Sequence, residues 1–382
     1  MIRSKITLSR ANRLLREGRF QEAKEIFLTL NEQNPDFLPY QQGYALACEK
    51  LGLASRSSKI SRHVGLLVDI FHPASQEIKV SSQRLFFVVT PVLNGDRFIS
   101  ATLESILSQA GDFFIDYLIK DAGSSDQTLS ILQKVGRQIE SGRYPMRCSG
   151  IRFRVESLPD RGLYDALAYA FGKDTWHSDL EIIQTYLNAD DVMAIDAFKI
   201  VAHVFDNTPA LWVCGQTNVI DETGKVIVTP QFPLTFARQD IIAGLHDGRS
   251  LYTIQQEGTF WLQKLYLTIG GIDRKYKLAG DYDLWRRFAH HTELLALDKP
   301  LASFRSHQNQ LSKQIDQYLS EVDSSAMEDG APDAPPLTWP FFYMGAKAPL
   351  KAPQQKPGPV GFLDDNGKIK EIAYIKRGWA CW

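Results

Sequence analysis

Short β-prone runs alternate with helical periods across the middle of this 382-residue chain, and this alternation constrains the fold more than any other feature. The runs are LFFVVT (85–90), IDYLIK (115–120), IRFRVES (151–157), IIQTYL (182–187) and LWVCGQ (211–216). Between the first two, Ile99, Leu103, Ile106 and Leu107 recur at helical spacing. Strands that alternate with helices of this length predict an α/β fold, a mostly parallel sheet with helices on both faces.

Short loops rich in polar residues follow four of these strands, and they contain the candidate site residues. These residues are Thr90, Pro91 and Asn94; Asp121, Ser124 and Asp126; Gly162 and Asp165; and Asn188, Ala189, Asp190 and Asp191. Because ligands of parallel sheets bind at the carboxyl ends of the strands, we expect these loops to share one site. Taken singly, a loop such as 121–126 also suits a turn with an N-cap for the helix that begins near Gln127.

Two adjacent carboxylates, Asp190 and Asp191, close the apolar stretch IIQTYLNADD. Two like charges at the end of a buried strand repel each other unless a cation lies with them. The chain has neither a GxxxxGK[ST] loop nor a GxGxxG after its first strand, which argues against a P-loop NTPase and a dinucleotide oxidoreductase. Mg²⁺ and Mn²⁺ prefer hard oxygen ligands and take the remaining ones from phosphate and water. The sequence therefore predicts a divalent metal that binds a diphosphate.

Six motifs in this order resemble those of family 2 glycosyltransferases, over about residues 84–312. They are VVTPVLNG, KDAGSSDQT, DRGLYDA, LNADD, QEGTFW and AGDYDLWRRF. The resemblance implies the GT-A fold, which is Rossmann-like, and an inverting enzyme that uses nucleotide-diphosphate sugars. Within the family, the chain looks closest to bacterial enzymes that assemble surface polysaccharide.

The resemblance also implies a role for each matching residue. On the donor side, Thr90, Pro91 and Asn94 would line the nucleotide, Asp121 would contact the base, and Ser124 and Asp126 would shape that loop. Gly162 and Asp165 would border the ribose and diphosphate, Asn188 and Ala189 would contact the donor in the DXD triad, and Asp190, Asp191 and His307 would bind the metal. On the acceptor side, Glu257 and Trp261 would contact the acceptor, and Asp281 would be the general base. Alternatives remain for three of them. Asp281 also suits an N-cap, Trp261 a core residue, and His307 an ordinary histidine outside the site.

The chain departs from the family pattern at three places. The triad begins with Asn188 instead of aspartate, Ala168, Tyr169 and Ala170 stand where relatives often have Asn-Lys-Gly, and Ile195 replaces a proline expected a few residues after the double aspartate. The first two departures concern donor contacts of the family, so the sequence leaves the choice of sugar nucleotide open.

Four segments are predicted along the chain: a tetratricopeptide-like helical segment (1–60), a linker (61–83), the GT-A domain (84–312) and a Pro-rich C-terminal extension (313–382). In the first segment, small and apolar residues recur at helical spacing on either side of Gly18. Ala45 and Gly52 lie 34 residues after Ala11 and Gly18, the period of the tetratricopeptide repeat. The alternative is an ordinary amphipathic helical hairpin.

Composition limits the partners and the compartment. A formal net charge of −1 argues against a nucleic-acid-binding protein, while a basic excess before residue 84 allows contact with a protein partner or with a membrane surface. The four cysteines are dispersed without a CxxC pair, which fits a reducing compartment better than a disulfide framework or a structural zinc site. We expect no secretory signal and no membrane-spanning run, and hence a cytoplasmic protein that works in solution or at the inner face of the membrane.

The predicted function is an inverting glycosyltransferase of the hexosyltransferase type, with a saccharide or lipid-linked saccharide as acceptor. A sugar nucleotidyltransferase shares the sheet and the metal but usually needs basic residues on the first loop, where TPVLNGDRF offers only Arg97. The third alternative is a non-catalytic binding module that acts through its helical repeat.

Overall fold

The computed structural model describes residues 8–33, 47, 51, 66–73, 84–176, 179–230, 234–308, 310, 314–328 and 358–375. The helices are α1 (Leu8–Arg16), α2 (Phe20–Gln33), α3 (Ile99–Leu107), α4 (Thr128–Glu140), α5 (Leu163–Phe171), α6 (Ala197–Asn207), α7 (Arg238–Ile242), α8 (Gln263–Thr268), α9 (Gly280–Ala289) and α10 (Ile315–Glu328). The strands are β1 (Leu66–Pro73), β2 (Arg84–Val92), β3 (Phe113–Asp121), β4 (Gly150–Ser157), β5 (Glu181–Tyr186), β6 (Val192–Met193), β7 (Trp212–Ile220), β8 (Val226–Val228), β9 (Thr259–Leu262), β10 (Leu295–Arg305), β11 (Gly358–Leu363) and β12 (Ile369–Ile375). A 3₁₀ turn, Gln256–Gly258, precedes β9.

The described strands form one twelve-stranded sheet in the order β1-β4-β3-β2-β5-β9-β7-β10-β11-β12, with β6 on β10 and β8 on β7. Its central block, β4-β3-β2-β5, is parallel throughout; Val88 of β2, for example, lies between Tyr117 of β3 and Thr185 of β5. β10 runs parallel to β7 and β11, and antiparallel strands join the sheet at β1, β6, β8, β9 and β12. The predicted α/β fold is confirmed.

Alternation along β2 divides the core between the two faces of the sheet. Phe86 and Val88 belong to an apolar cluster with α3, α4 and α6, whereas Leu85, Phe87 and Val89 belong to a second cluster with α5 and α9. All five side chains are fully buried, and burial of each stabilises the fold by roughly 1.5–3 kcal/mol. The helices therefore lie on both faces, as the strand pattern predicts.

The N-terminal segment contains a helical hairpin. α1 and α2 pack through Ala11, Leu14, Ala23 and Phe27, and the turn between them uses Gly18 at φ +74°, where glycine has no steric cost. The tetratricopeptide assignment is not supported, and Ala45 and Gly52, which give the 34-residue period, lie outside the described residues.

Segments on both sides of the predicted GT-A domain add to the same sheet. β1 lies within the predicted linker 61–83 and pairs antiparallel with β4. Within the predicted extension 313–382, α10 packs on α9, and the β11–β12 hairpin extends the sheet from β10. The Pro-rich stretch 329–357 lies outside the described residues.

Two of the four cysteines are described, and both are free and buried. Burial raises the pKa of the Cys148 thiol to about 12, so that side chain is not a reactive thiolate at neutral pH. In the part of the chain that the structure describes, no helix has the length and apolar character needed to cross a membrane.

Candidate active site

A cavity of about 940 Å³ opens at the carboxyl ends of the parallel strands. Its wall is built from the loops after β2, β3, β4 and β5, the turn Gln256–Gly258, the start of α9, the segment after β10 and the first turn of α10. The predicted site residues in this wall are Pro91, Asn94, Gly162, Asn188, Ala189, Asp190, Asp191, Glu257, Asp281 and His307. The strand-end loops thus converge at one edge, as expected for a parallel sheet.

The loops after β2 and β3 are joined by hydrogen bonds around Asn94. Its backbone N–H donates to Ser124 Oγ at 2.8 Å, and its Oδ1 accepts from the Ser125 N–H at 2.8 Å. Asn94 has φ +54°, a left-handed conformation that asparagine tolerates better than most residues. These bonds fix the shape of the cavity wall where the resemblance predicts the nucleotide.

Asp121 lies beneath this wall and not in it. The side chain is fully buried, and its carboxylate accepts hydrogen bonds from the N–H groups of Gly123 and Ser124 and from the hydroxyls of Ser124 and Ser157. Both oxygens are therefore occupied within the protein, and in this structure Asp121 holds the loop instead of facing a base. Asp126 has a similar local task, because it accepts from the N–H of Thr128 at 2.9 Å, where α4 begins.

Three other predicted residues also lie away from the cavity wall. Thr90 is fully buried, with its hydroxyl 2.9 Å from the hydroxyl of Tyr117. Asp165 turns to Arg161, whose hydrogen bond lowers the pKa of that carboxyl group. Trp261 is fully buried in the core, where its Nε1 donates to Gln184 Oε1 at 2.9 Å. This position corrects the predicted acceptor contact of Trp261, since aromatic packing on all sides leaves no face for a sugar.

His307 and Arg305 hold the two adjacent carboxylates. His307 Nε2 lies 2.8 Å from Asp190 Oδ2. Arg305 donates from its backbone N–H to Asp191 Oδ1 at 2.8 Å and from its Nε to the Asp190 carbonyl at 2.7 Å. The last residue of β10 and the segment after it thereby contact both aspartates.

Asp191 has one oxygen without a hydrogen-bond partner within the described part of the chain, although the residue is almost fully buried. Burial and the neighbouring charge of Asp190 raise the pKa of Asp191 well above its usual range. An unpartnered, electron-rich oxygen beside a second carboxylate and an imidazole is a donor set that a hard divalent cation would satisfy. Among the described residues, however, no group of three or more His, Cys, Asp or Glu forms a complete metal site, so phosphate and water would have to complete the coordination.

Asp281 occupies the first turn of α9 and faces the cavity. Its Oδ1 accepts from Tyr164 O–H at 3.0 Å and from the Tyr282 N–H at 2.8 Å. The preceding Gly280 is required here, because a Cβ at that position would lie 2.5 Å from the Tyr164 ring. Burial raises the pKa of Asp281 to about 6, so the carboxyl group can exchange protons near neutral pH.

Glu257 brings a further carboxylate into the same cavity. Gln256 Nε2 donates to its Oε1 at 2.8 Å, and its Oε2 has no hydrogen-bond partner among the described residues. Burial raises the pKa of Glu257 to about 7, with smaller contributions from the charges of Asp281 and Asp190. The cavity therefore collects acidic groups from β5, the turn before β9 and α9.

Comparison with known proteins agrees with this geometry. Residues 87–264 match the model of the family described as Glycosyl transferase family 2. Over this segment the chain is similar to family 2 glycosyltransferases. The segment covers slightly less than half of the chain, and Asp281, His307 and α10 lie beyond its end.

Solved structures similar to this chain include S. aureus TarS 1–349 in complex with UDP-GlcNAc, at 13% identity and TM-score 0.46, with 64% of this chain and 69% of that chain covered. Full-length S. aureus TarS matches at 14% identity and TM-score 0.42, with 62% of this chain and 42% of that one covered. The mannosyltransferase PcManGT from Pyrobaculum calidifontis, in complex with GDP-Man and Mn²⁺, matches at 16% identity and TM-score 0.43, with 66% of each chain covered. No curated protein matches the chain. At identities and TM-scores this low, no donor or metal is carried over from these proteins.

Sequence reasoning missed how three residues support the candidate site: Tyr164, Arg305 and Glu321. Tyr164 lies inside the motif DRGLYDA, which gave a signal for the loop but not for its bond to Asp281. Arg305 lies two residues before His307, in a run that reads as an ordinary strand. Glu321 lies in the predicted extension, where no motif marks it.

We expect the variant Asp281→Asn to stabilise the metal-free protein at pH 8 but not at pH 4. A carboxyl group whose folded pKa is raised contributes stability below its unfolded pKa and loses it as the pH rises through the folded value, here from about 4 to about 6. The amide cannot ionise, so the variant should gain roughly 1–3 kcal/mol at pH 8. Denaturant unfolding in EDTA at both pH values measures this.

Asp165→Asn serves as the control of opposite sign. The pKa of Asp165 is lowered by Arg161, so its ionised form stabilises the fold above the unfolded pKa, and the amide should destabilise at pH 8. Equal effects of Asp281→Asn at pH 4 and pH 8 would contradict the raised pKa of Asp281.

Proposed function

We propose that this protein is a divalent-metal-dependent, inverting glycosyltransferase. It moves a sugar from a nucleotide-diphosphate sugar to a hydroxyl group of a saccharide or lipid-linked saccharide during surface polysaccharide assembly. The observation that carries the proposal is the meeting of Asp190 and Asp281 in the wall of one cavity, at the carboxyl ends of parallel strands in the segment that matches family 2 glycosyltransferases. The cavity volume of about 940 Å³ lies near the upper end of ligand pockets and leaves room for an acceptor beside the donor.

Asp190, Asp191 and His307 are the residues that would hold the cation, together with the donor diphosphate. A divalent cation there would supply positive charge for the diphosphate that leaves in the reaction. Lysine and arginine contribute little to the wall: among its described residues Arg97 is the one such side chain, and Glu222 pairs with it. This scarcity supports a metal-dependent donor, since few protein cations are available for the phosphates.

Asp281 would act as the general base for the acceptor. As the acceptor oxygen attacks the anomeric carbon, its proton passes to Asp281, the bond from that carbon to the diphosphate oxygen breaks, and the configuration inverts. The hydrogen bonds from Tyr164 and Tyr282 fix the carboxylate, and its place in the first turn of α9 favours the charged form. Positioning of this kind is what a general base needs for efficient proton transfer.

The same scarcity of lysine and arginine in the wall argues against a sugar nucleotidyltransferase, which has to hold a triphosphate. A non-catalytic module would not need Asp281, suited to act as a base, beside Asp190 and Asp191, suited to bind a metal, in one cavity large enough for a donor. Both alternatives give different outcomes in the assays below.

A thermal-shift screen of sugar nucleotides with and without Mn²⁺ tests the donor class. A ligand that binds only the folded protein stabilises it by mass action, by about 2.7 kcal/mol at a concentration of 100 times its Kd, and so raises the melting temperature. We expect at least one nucleotide-diphosphate sugar to raise the melting temperature only when the cation is present. The free nucleoside and inorganic diphosphate are the matched controls. A screen in which no sugar nucleotide shifts the melting temperature would contradict the proposal.

A further inference from the structure

Helix α10 reaches the start of α9 through one carboxylate. Glu321 Oε2 accepts hydrogen bonds from the backbone N–H groups of Lys277 (2.9 Å), Leu278 (2.8 Å) and Ala279 (3.0 Å). Val322, the next residue of α10, is buried against Ala279 and Tyr282. A helix outside the family 2 match is thus fastened to the segment that leads into Asp281.

This contact fixes the segment that leads into α9. Ala279 occupies the N-cap position of α9, and Lys277 and Leu278 precede it. Glu321 therefore holds three successive backbone N–H groups just before the first turn, the turn in which Asp281 lies. Burial alone would raise the pKa of Glu321, but the three N–H groups lower it, so the carboxylate is charged at neutral pH.

Both backbone polar groups of Leu278 are hydrogen-bonded. Its N–H donates to Glu321, while its carbonyl accepts from Tyr164 O–H at 3.1 Å. The same Tyr164 hydroxyl lies 3.0 Å from Asp281 Oδ1. A movement of the Leu278 backbone would therefore displace the Tyr164 hydroxyl and, through it, the Asp281 carboxylate.

We propose that Glu321 is a positioning residue for the general base, because it fixes residues 277–279 and so the direction in which Asp281 enters the cavity. The inference rests on the proposed function, since it takes Asp281 as the base. The role of Glu321 makes α10 part of the catalytic unit, although the predicted domain boundary at residue 312 separates α10 from α9.

Glu321 also acts on Asp281 through its charge. The groups that face Asp281 are Tyr164 from α5, Tyr186 from β5, Glu257 from the turn before β9, and Tyr318 and Glu321 from α10. Burial is the largest cause of the raised pKa of Asp281, and the negative charge of Glu321 adds a smaller contribution. Loss of that charge should lower the pH at which the base becomes ionised, which gives a readout that packing alone would not change.

The test compares Glu321→Ala and Glu321→Gln with Asp323→Ala in steady-state transfer assays. Glu321→Ala should lower kcat on the order of 10- to 100-fold at unchanged donor KM, because a small misplacement of a reacting group has effects of this size. Glu321→Gln keeps an acceptor oxygen and should recover most of kcat. In its pH profile of kcat/KM, the acidic limb should move to lower pH. Asp323 lies on the same helix as Glu321 and pairs with Arg249, which lies outside that helix. Asp323→Ala therefore weakens the docking of α10 without releasing residues 277–279 and should stay within about threefold of wild type.

Several outcomes would overturn the inference. They are a wild-type kcat in Glu321→Ala, or equal losses in Glu321→Ala and Asp323→Ala, which would assign the effect to docking of α10. If Glu321→Ala does not fold, Glu321→Gln decides, and an unshifted acidic limb rejects the inference. Asp281→Asn separates the failure of the proposed base from the failure of the role of Glu321. A wild-type transfer rate in Asp281→Asn rejects Asp281 as the base. Slow transfer in Asp281→Asn together with wild-type transfer in Glu321→Ala rejects only the role of Glu321.

Discussion

Asp281→Asn should slow sugar transfer on the order of 10²- to 10⁴-fold while the protein stays folded and keeps its donor affinity. The amide oxygen can still accept hydrogen bonds from Tyr164 O–H and from the Tyr282 N–H, which Asp281 Oδ1 accepts in the native protein. It cannot take a proton from the acceptor. Donor binding should persist because it depends on Asp190 and its neighbours, which the substitution does not touch. Single-turnover transfer and calorimetric titration with nucleoside diphosphate measure the two properties separately.

The same helix offers a matched control. Asp283 lies two residues further along α9 and pairs with Arg287 at 2.6 Å, outside the cavity wall, so Asp283→Asn should transfer at close to the wild-type rate. A near-wild-type rate in Asp281→Asn would show that another group is the base. Glu257 would be the next candidate, since it lies in the cavity wall with a pKa raised to about 7.

Asp190→Asn should show the reverse pattern and lose donor affinity first. The substitution removes a charged oxygen beside His307 Nε2 and Asp191, where the cation and the diphosphate are proposed to meet. Loss even of an outer partner of a metal ligand typically costs about 10- to 100-fold in metal affinity, so removal of a ligand should cost at least that much. Calorimetry with nucleoside diphosphate, in Mn²⁺ and in EDTA, measures the effect.

Asp196→Asn is the control for this second experiment. Asp196 lies on the same stretch of chain, but it is exposed and does not line the cavity, so its amide should bind the donor like the wild type. The proposed metal role would be contradicted if the wild-type protein bound nucleoside diphosphate equally well with the cation and with EDTA.

The parallel block of the sheet could be predicted from the sequence because burial leaves a periodic trace. Phe86 and Val88 alternate with Phe87 and Val89, and each strand ends in turn-forming polar residues, so the strands, their helices and the shared edge could all be inferred. That edge is where the structure has the cavity.

The roles of individual carboxylates could not be predicted in the same way. Asp121 and Asp190 both follow strands, but Ser124 and Ser157 occupy the oxygens of Asp121, whereas Asp190 reaches the cavity. Only side-chain packing separates the two cases. Trp261 is a similar case, because its neighbours in the core come from distant parts of the chain.

Contacts between distant segments left still less trace. Glu321 bonds to backbone N–H groups, and backbone groups carry no sequence signal, so neither end of that contact could be recognised. β1 and the β11–β12 hairpin join the sheet at its edges, where no motif marks the pairing. The site as a whole therefore extends beyond the segment in which the family motifs lie.

Release of nucleoside diphosphate from sugar nucleotides is the most direct measurement of the central claim. The wild-type protein should release it from at least one donor when Mn²⁺ is present, faster when a saccharide acceptor is added, and not in EDTA; Asp281→Asn should release it far more slowly at full donor occupancy. Release of pyrophosphate would identify a nucleotidyltransferase instead. Tight binding of a donor without release of any product, across saccharide and lipid-linked acceptors, would contradict a catalytic role for this cavity.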